Sequence, residues 1–218
     1  SFLADSAICH ASERNKKSDK IKFKENIQKV DDLNIISQDK AQSLLLSQTK
    51  VQKIEIAYSN LNYFYFFNTP DLVSIEIPKS DKIQYVKING CVYTKDKKEL
   101  IIAERNIKEA TICSSCEFIS NYALNINNLQ KVSFEEKSAL HEISFLSFYD
   151  SQIKDINLPN EIELIQYGAF YKCKKLESIN IPKSLNSIDF FTFSYTNLTM
   201  IVIPKSIVKI GFGSFLCC

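Results

Sequence analysis

Residues Leu176-Glu177-Ser178-Ile179-Asn180-Ile181-Pro182-Lys183-Ser184 recur as Leu198-Thr199-Met200-Ile201-Val202-Ile203-Pro204-Lys205-Ser206 and as Leu72-Val73-Ser74-Ile75-Glu76-Ile77-Pro78-Lys79-Ser80. Their apolar positions and their Ile-Pro-Lys-Ser endings are the same in all three. Working outward, the apolar-x-x-apolar-x-apolar half of this motif is found again at Ile107, Ala110, Ile112; at Leu129, Val132, Phe134; and at Ile153, Ile156, Leu158, with a weaker copy at Val51, Ile54, Ile56. Each of the last five copies is followed by a second motif, Ile-x-x-x-small-aromatic. It runs Ile143 to Phe148, Ile165 to Phe170, Ile188 to Phe193 and Ile210 to Phe215, with Ile119 to Leu124 as a variant. The third positions of the first motif, 112, 134, 158, 181 and 203, are separated by 22, 24, 23 and 22 residues, and the ends of the second, 124, 148, 170, 193 and 215, by 24, 22, 23 and 22. The two halves keep step, so the pair is the unit, and a fixed period of about 20–29 residues is the signature of a stacked solenoid repeat.

Alternation across Ile-x-Ile suits a strand with one buried face, and the Pro that follows cannot donate a ladder hydrogen bond, so the strand should end there. One repeat of this size cannot cover its own apolar stripe, but neighbours stacked in register bury a continuous ladder. The expected fold is therefore a mainly β leucine-rich-repeat solenoid with short helical turns and repeats of 21–24 residues.

The combined pattern Leu-x-x-Ile-x-Ile-Pro-x-Ser, then Ile-x-x-Ile-Gly-x-x-Ala-Phe-x-x-Cys, resembles the BspA-type leucine-rich repeat, and is clearest over residues 129–218. Ile165 to Cys173 and Ile210 to Cys218 follow that family's second motif, with Gly168 displaced from the usual place. The stretch between Pro78 and Ile107 adds a further match, because Asn89-Gly90-Cys91-Val92-Tyr93-Thr94-Lys95-Asp96-Lys97-Lys98-Glu99-Leu100-Ile101-Ile102 reads as two short strands around a polar turn, like the hairpin these proteins often carry. Asp189 and Ser144 replace the motif glycine, Cys113 stands where the Pro would be, and the common leucine-rich-repeat asparagine is absent. Residues 1–45 are expected to be a polar N-terminal cap or linker, and residues 46–218 the solenoid, with an inserted hairpin at about 85–104 and a truncation at the C-terminus.

A formal net charge of +2, from 27 basic and 25 acidic residues, is too balanced for the single-sign field that nucleic acid or an anionic membrane requires. Four glycines and five prolines in 218 residues argue against glycine-rich phosphate loops, and no cofactor is implied. No stretch approaches the roughly 20 apolar residues of a membrane span. Ser1-Phe2-Leu3-Ala4-Asp5 lacks the regions of a signal peptide, and a chain without an initiating Met that ends at Cys217-Cys218 reads as a fragment.

Candidate chemistry weighs little. Cys113-Ser114-Ser115-Cys116 has the spacing of a redox or half-zinc motif, yet there is no second CxxC, and His10 and His141 have no matching spacing, so no metal ligand is assigned. Cys173 and Cys218 occupy a column where other repeats have Ser151 and Thr196, which fits buried reduced thiols acting as small apolar groups. His141 is expected on a turn or the outer face, Glu135-Glu136 and Asp31-Asp32 point to opposite faces of a strand, and Lys95 to Lys98 is a solvated turn. No catalytic residue is assigned.

Binding is expected on the strand face, whose outward column reads Glu55, Glu76, Thr111, Ser133, Asn157, Asn180 and Val202, with Met200 beside it. Met200 and Val202 either face a partner or are covered by further sequence. The mixed polar column suits a protein or glycan better than a small buried substrate. The resemblance implies a surface-exposed or secreted antigen or adhesin contacting extracellular-matrix or cell-surface proteins. The alternative is an intracellular, cytoplasmic interaction scaffold, which the odd count of seven cysteines favours.

Overall fold

A computed structural model of the chain describes residues 27–30, 33–36, 52–56, 69, 71–80 and 83–218. Of the expected N-terminal cap it includes only the strands within 27–36, and Asp31-Asp32 lies outside the described residues.

The apolar alternation becomes two columns of short, mostly parallel strands joined by turns. From Lys53 on, the first column is built from the first motif, and before it come two strands that pair antiparallel. It contains β1 (Ile27–Val30), β2 (Leu33–Ile36), β3 (Lys53–Ile56) and β4 (Ser74–Glu76), in that spatial order, and after an insertion β8 (Glu109–Ile112), β10 (Lys131–Phe134), β12 (Asp155–Ile156) and β14 (Ser178–Ile179). The insertion is a three-stranded antiparallel unit of β5 (Tyr85–Ile88), β6 (Cys91–Thr94) and β7 (Glu99–Ala103). Its last strand starts the second column, which continues through β9 (Phe118–Ile119), β11 (Glu142–Ile143) and β13 (Leu164–Ile165), with β15 (Ser187–Ile188) and β16 (Lys209–Ile210) pairing further on. β6 and β7 are the two strands read from the sequence. β5 was not anticipated, although Asn89-Gly90 marks it: both residues have positive φ, 49° and 80°, as a tight hairpin turn requires.

The first column has two breaks. β4 and β8 belong to separate sheets, because the insertion enters between them. The seam is held by Arg105 N–H donating to Leu72 O at 2.7 Å and by the Glu104 carboxylate accepting from Ile75 N–H at 2.8 Å. β12 lies beside β10 without a ladder of its own to it, and the copy at Leu198–Ile203 forms no ladder at all.

Between the columns lies one apolar core, in which Ile112, Leu129, Ile143, Ile153, Ile165 and Leu176 are fully or almost fully buried. Its aromatic members stack: Phe148 on Phe170 at 4.8 Å, Phe170 on Phe193 at 5.7 Å and Phe193 on Phe215 at 5.5 Å, all nearly parallel. The small-residue column beside them is also a donor column. The Cys173 thiol donates to Phe148 O at 3.0 Å and the Cys218 thiol to Phe193 O at 3.2 Å, with the Ser151 and Thr196 hydroxyls alongside.

The return segments are chains of turns, and no helix is present among the described residues. Their hydrogen bonds alternate. Ala169, Tyr171 and Cys173 N–H donate three residues back, whereas Gly168, Phe170 and Lys172 N–H donate to Phe190, Thr192 and Ser194 of the next repeat. This arrangement needs left-handed backbone at two positions per repeat. Tyr122, Leu146, Gly168, Phe191 and Gly213 form one such column, with φ of 51–68°, and Asp150, Lys172, Tyr195 and Cys217 the other. Gly168 is thus not displaced from the motif glycine at position 211; it fills a different column, where φ > 0 favours glycine. The first left-handed column also supports an outer satellite cluster of Tyr122, Leu146, Tyr171 and Phe191, edged by Phe145, Tyr149, Tyr167 and Tyr195. Lys172 Nζ lies 5.3 Å from the Tyr171 ring centre and 5.6 Å from that of Tyr149.

Candidate functional site

Every residue that faces inward from the first column leaves its two neighbours facing out. The register β8–β10–β12–β14 therefore presents two outward rows. One contains Thr111, Ser133, Asn157 and Asn180; the other contains Glu109, Lys131, Asp155 and Ser178. In the last copy, Val202 continues the first row and Met200 the second, and both are the most open apolar side chains on this face, at 77% and 79% exposed.

Two adjoining hollows lie on these rows. The first, about 530 Å³, is lined by Lys131, Ser133, Asp155, Asn157, Asn160 and Asn180 among others. The second, about 590 Å³, shares Asp155, Asn157, Asn160 and Asn180 and ends at Met200 and Val202. The sequence alone implied no such concavity.

Of the expected binding residues, the structure brings together Ser133, Asn157, Asn180, Met200 and Val202. Thr111 joins them through its hydroxyl, 3.0 Å from that of Ser133. Glu76 lies on β4, in another sheet across the seam, with its carboxylate 3.4 Å from the Ser74 hydroxyl. Glu55 lies on β3, and its side chain is outside the described residues. The expected single column is therefore interrupted.

The roles within the cluster also differ. Asn180 is committed to the scaffold: its Oδ1 accepts from Leu158 N–H at 2.6 Å and its Nδ2 donates to Leu158 O at 2.9 Å, which splices β14 to the strand before it. Asn157 is exposed, and among the described residues nothing engages its amide. The row Glu109, Lys131, Asp155 and Ser178 was missed by the sequence reading. The signal was present, because each of these residues precedes an inward apolar position as Met200 does.

The residues considered for chemistry sit elsewhere. Cys116 N–H donates to Cys113 O at 3.0 Å, closing the same turn that Pro159, Pro182 and Pro204 open towards Ile162, Leu185 and Ile207. The Cys-x-x-Cys segment is this repeat turn with thiols at its two ends. Burial pushes the Cys91, Cys116 and Cys173 thiols up to about 12. His141 packs edge-on against Phe118 at 4.6 Å, with Nδ1 3.1 Å from Ala139 O. Among the described residues no three His, Cys, Asp or Glu side chains are grouped to hold a metal, and no helix is long and apolar enough to cross a membrane.

The fold has known counterparts. The pneumococcal vaccine antigen PcpA superposes with a TM-score of 0.51 at 23% identity over 62% of this chain and 36% of its own. A leucine-rich repeat protein from Eubacterium ventriosum matches at 0.43 and 17% identity over 77% of this chain and 66% of its own, and one from Bacteroides ovatus at 0.45 and 21% over 61% and 41%. The chain thus spans between about a third and two thirds of these proteins' lengths. No curated protein sequence matches it. Residues 97–218 match the BspA type leucine rich repeat region in six copies, and the chain belongs to the BspA-type leucine-rich-repeat family.

Proposed function

We propose that the chain is a non-enzymatic protein-interaction module that binds a host or cell-surface protein through the strand face from β8 to Val202, as a surface antigen or adhesin. The observation that carries this reading is the pair of adjoining hollows, which extend a mixed polar and apolar surface over several repeats. That shape suits a macromolecule better than a small substrate, because both hollows are open and neither converges on a few groups. The likeness to a vaccine antigen supports surface placement. The buried, structural surroundings of Cys113, Cys116 and Cys173, and the backbone contact of His141, support the absence of catalysis.

A second reading, a cytoplasmic scaffold using the same face, is favoured by the free thiols at Cys91, Cys113, Cys116 and Cys173. The test is binding of the purified chain to a panel of extracellular-matrix proteins and to a cytosolic extract, with and without Asn157→Arg. Matrix binding abolished by Asn157→Arg, with melting unchanged, supports the adhesin. A cytosolic partner lost with the same substitution supports the scaffold. Binding indifferent to Asn157→Arg removes the strand face from both readings.

A further inference from the structure

Exposed apolar groups near the last repeat fall into two kinds. Ile210 is 52% exposed, yet its counterparts Ile143, Ile165 and Ile188 are buried, so its exposure reflects its place at the edge of the stack. Met200 and Val202 differ: Met200's counterparts Asp155 and Ser178 are themselves exposed, and Val202's counterparts are exposed at Asn157 and half-buried at Asn180, so these positions face outward whatever lies next in the stack. Their apolar character is therefore a property of the face.

Along the row that ends at Met200 the chemistry is ordered. Glu109, Lys131 and Asp155 alternate in sign on successive strands, Ser178 follows, and Met200 closes the row. All five are exposed. No ion pair among the described residues engages Glu109, Lys131 or Asp155, whereas Lys87, Lys98 and Lys154 elsewhere are paired. In the neighbouring row, Thr111 is matched with Ser133 and Asn180 is tied to Leu158, which leaves Asn157, the charged row and the two apolar side chains as the groups open to a partner.

Spacing selects the partner's conformation. Hydrogen-bonded neighbours such as β8–β10 and β12–β14 lie about 4.8 Å apart, and a residue on one face of an extended peptide recurs only about every 6.8 Å. A helix brings a residue to the same face about every 5.4 Å, close to one turn per strand, with a residual mismatch that flexible lysine and glutamate stems absorb. We infer that the strand face takes an amphipathic helical segment of about four turns, laid across the strands, that presents basic, acidic, basic, polar and apolar side chains one turn apart to Glu109, Lys131, Asp155, Ser178 and Met200 with Val202. This rests on the strand face being the binding site and adds the partner's chemistry, conformation and direction.

The experiment uses a synthetic helix-forming peptide of about 15 residues with Lys, Glu, Lys, Ser and Leu at one-turn spacing, and a second peptide with the three charges inverted. Affinity for the whole chain is read by fluorescence anisotropy, and peptide helicity by circular dichroism. The first peptide should bind about ten-fold or more tightly than the second and gain helicity on binding. Asp155→Lys should narrow that preference by weakening the first and strengthening the second, and Met200→Lys with Val202→Lys should weaken the first about ten-fold. All three positions are exposed, so melting curves should match the parent chain. Equal binding of the two peptides, no binding of the first, or indifference to Asp155→Lys overturns the inference. The strand-face reading survives such a failure if a protein partner is still lost with Asn157→Arg, and falls with it if that substitution changes nothing.

Discussion

The two columns of the solenoid are built from the same repeat but hold together differently. On the return side, every second N–H crosses to the next repeat and phenylalanines stack without interruption from Phe148 to Phe215. On the strand side, ladders are broken at β4–β8 and β10–β12, and the short β12–β14 ladder is extended by the amide of Asn180. Cohesion is concentrated in the return side. The strand side can therefore vary its outward residues, and open hollows between strands, while the stack stays intact.

The largest test of this contrast is Phe170→Ala. Phe170 is fully buried between two stacked rings, and its loss should cost about 3–5 kcal/mol, seen as a lower denaturant midpoint; a cost below about 1 kcal/mol would show that the aromatic column is not what holds the stack. Next comes Asn180→Ala, which leaves Leu158 N–H and C=O without their side-chain partner and should cost about 1–3 kcal/mol, whereas Asn157→Ala should lie within about 0.5 kcal/mol of the parent. If the two variants melt alike, the assignment of one residue to the scaffold and the other to the surface is wrong. Gly168→Ala should cost about 1–2 kcal/mol, because φ is +59° there and a Cβ would come within 2.7 Å of Leu146 Cδ2.

The smallest effect is one of pH. Burial raises the Cys91, Cys116 and Cys173 thiols from 9.0 to about 12, so the native state holds these protons more tightly than the unfolded chain does. Their contribution is fully present below pH 9 and is lost as pH rises towards 12, so stability should be flat through neutrality and fall only in alkali. Urea titrations at pH 7, 9 and 10.5 check this, and Cys173→Ala should lessen the alkaline fall.

The repeat could be read from the sequence because its signal is apolar and periodic: every Ile and Leu of the first motif from Leu72 to Leu198 that sets the register is buried or half-buried. What escaped notice was carried by polar or conformational features without a periodic residue type. The Glu109–Met200 row changes identity at every step, and the left-handed column is filled by Tyr122, Leu146, Gly168, Phe191 and Gly213, which share a backbone angle and no side-chain chemistry. Asn180 and Asn157 look equivalent in one dimension, and only the position of Leu158 tells them apart. The break between β4 and β8 has the same origin. Periodicity places both strands in one column, but the insertion decides whether they touch.

That break has a mechanical side. Repeats stacked end to end carry a pulling force in series, so the molecule is as strong as its weakest junction. Among the described residues β4 and β8 share no ladder, and the Arg105–Leu72 backbone bond and the Glu104 carboxylate carry load between them. Drawn out along its axis, the protein should part first at that seam, with the return-side stack from Phe118 onward still closed.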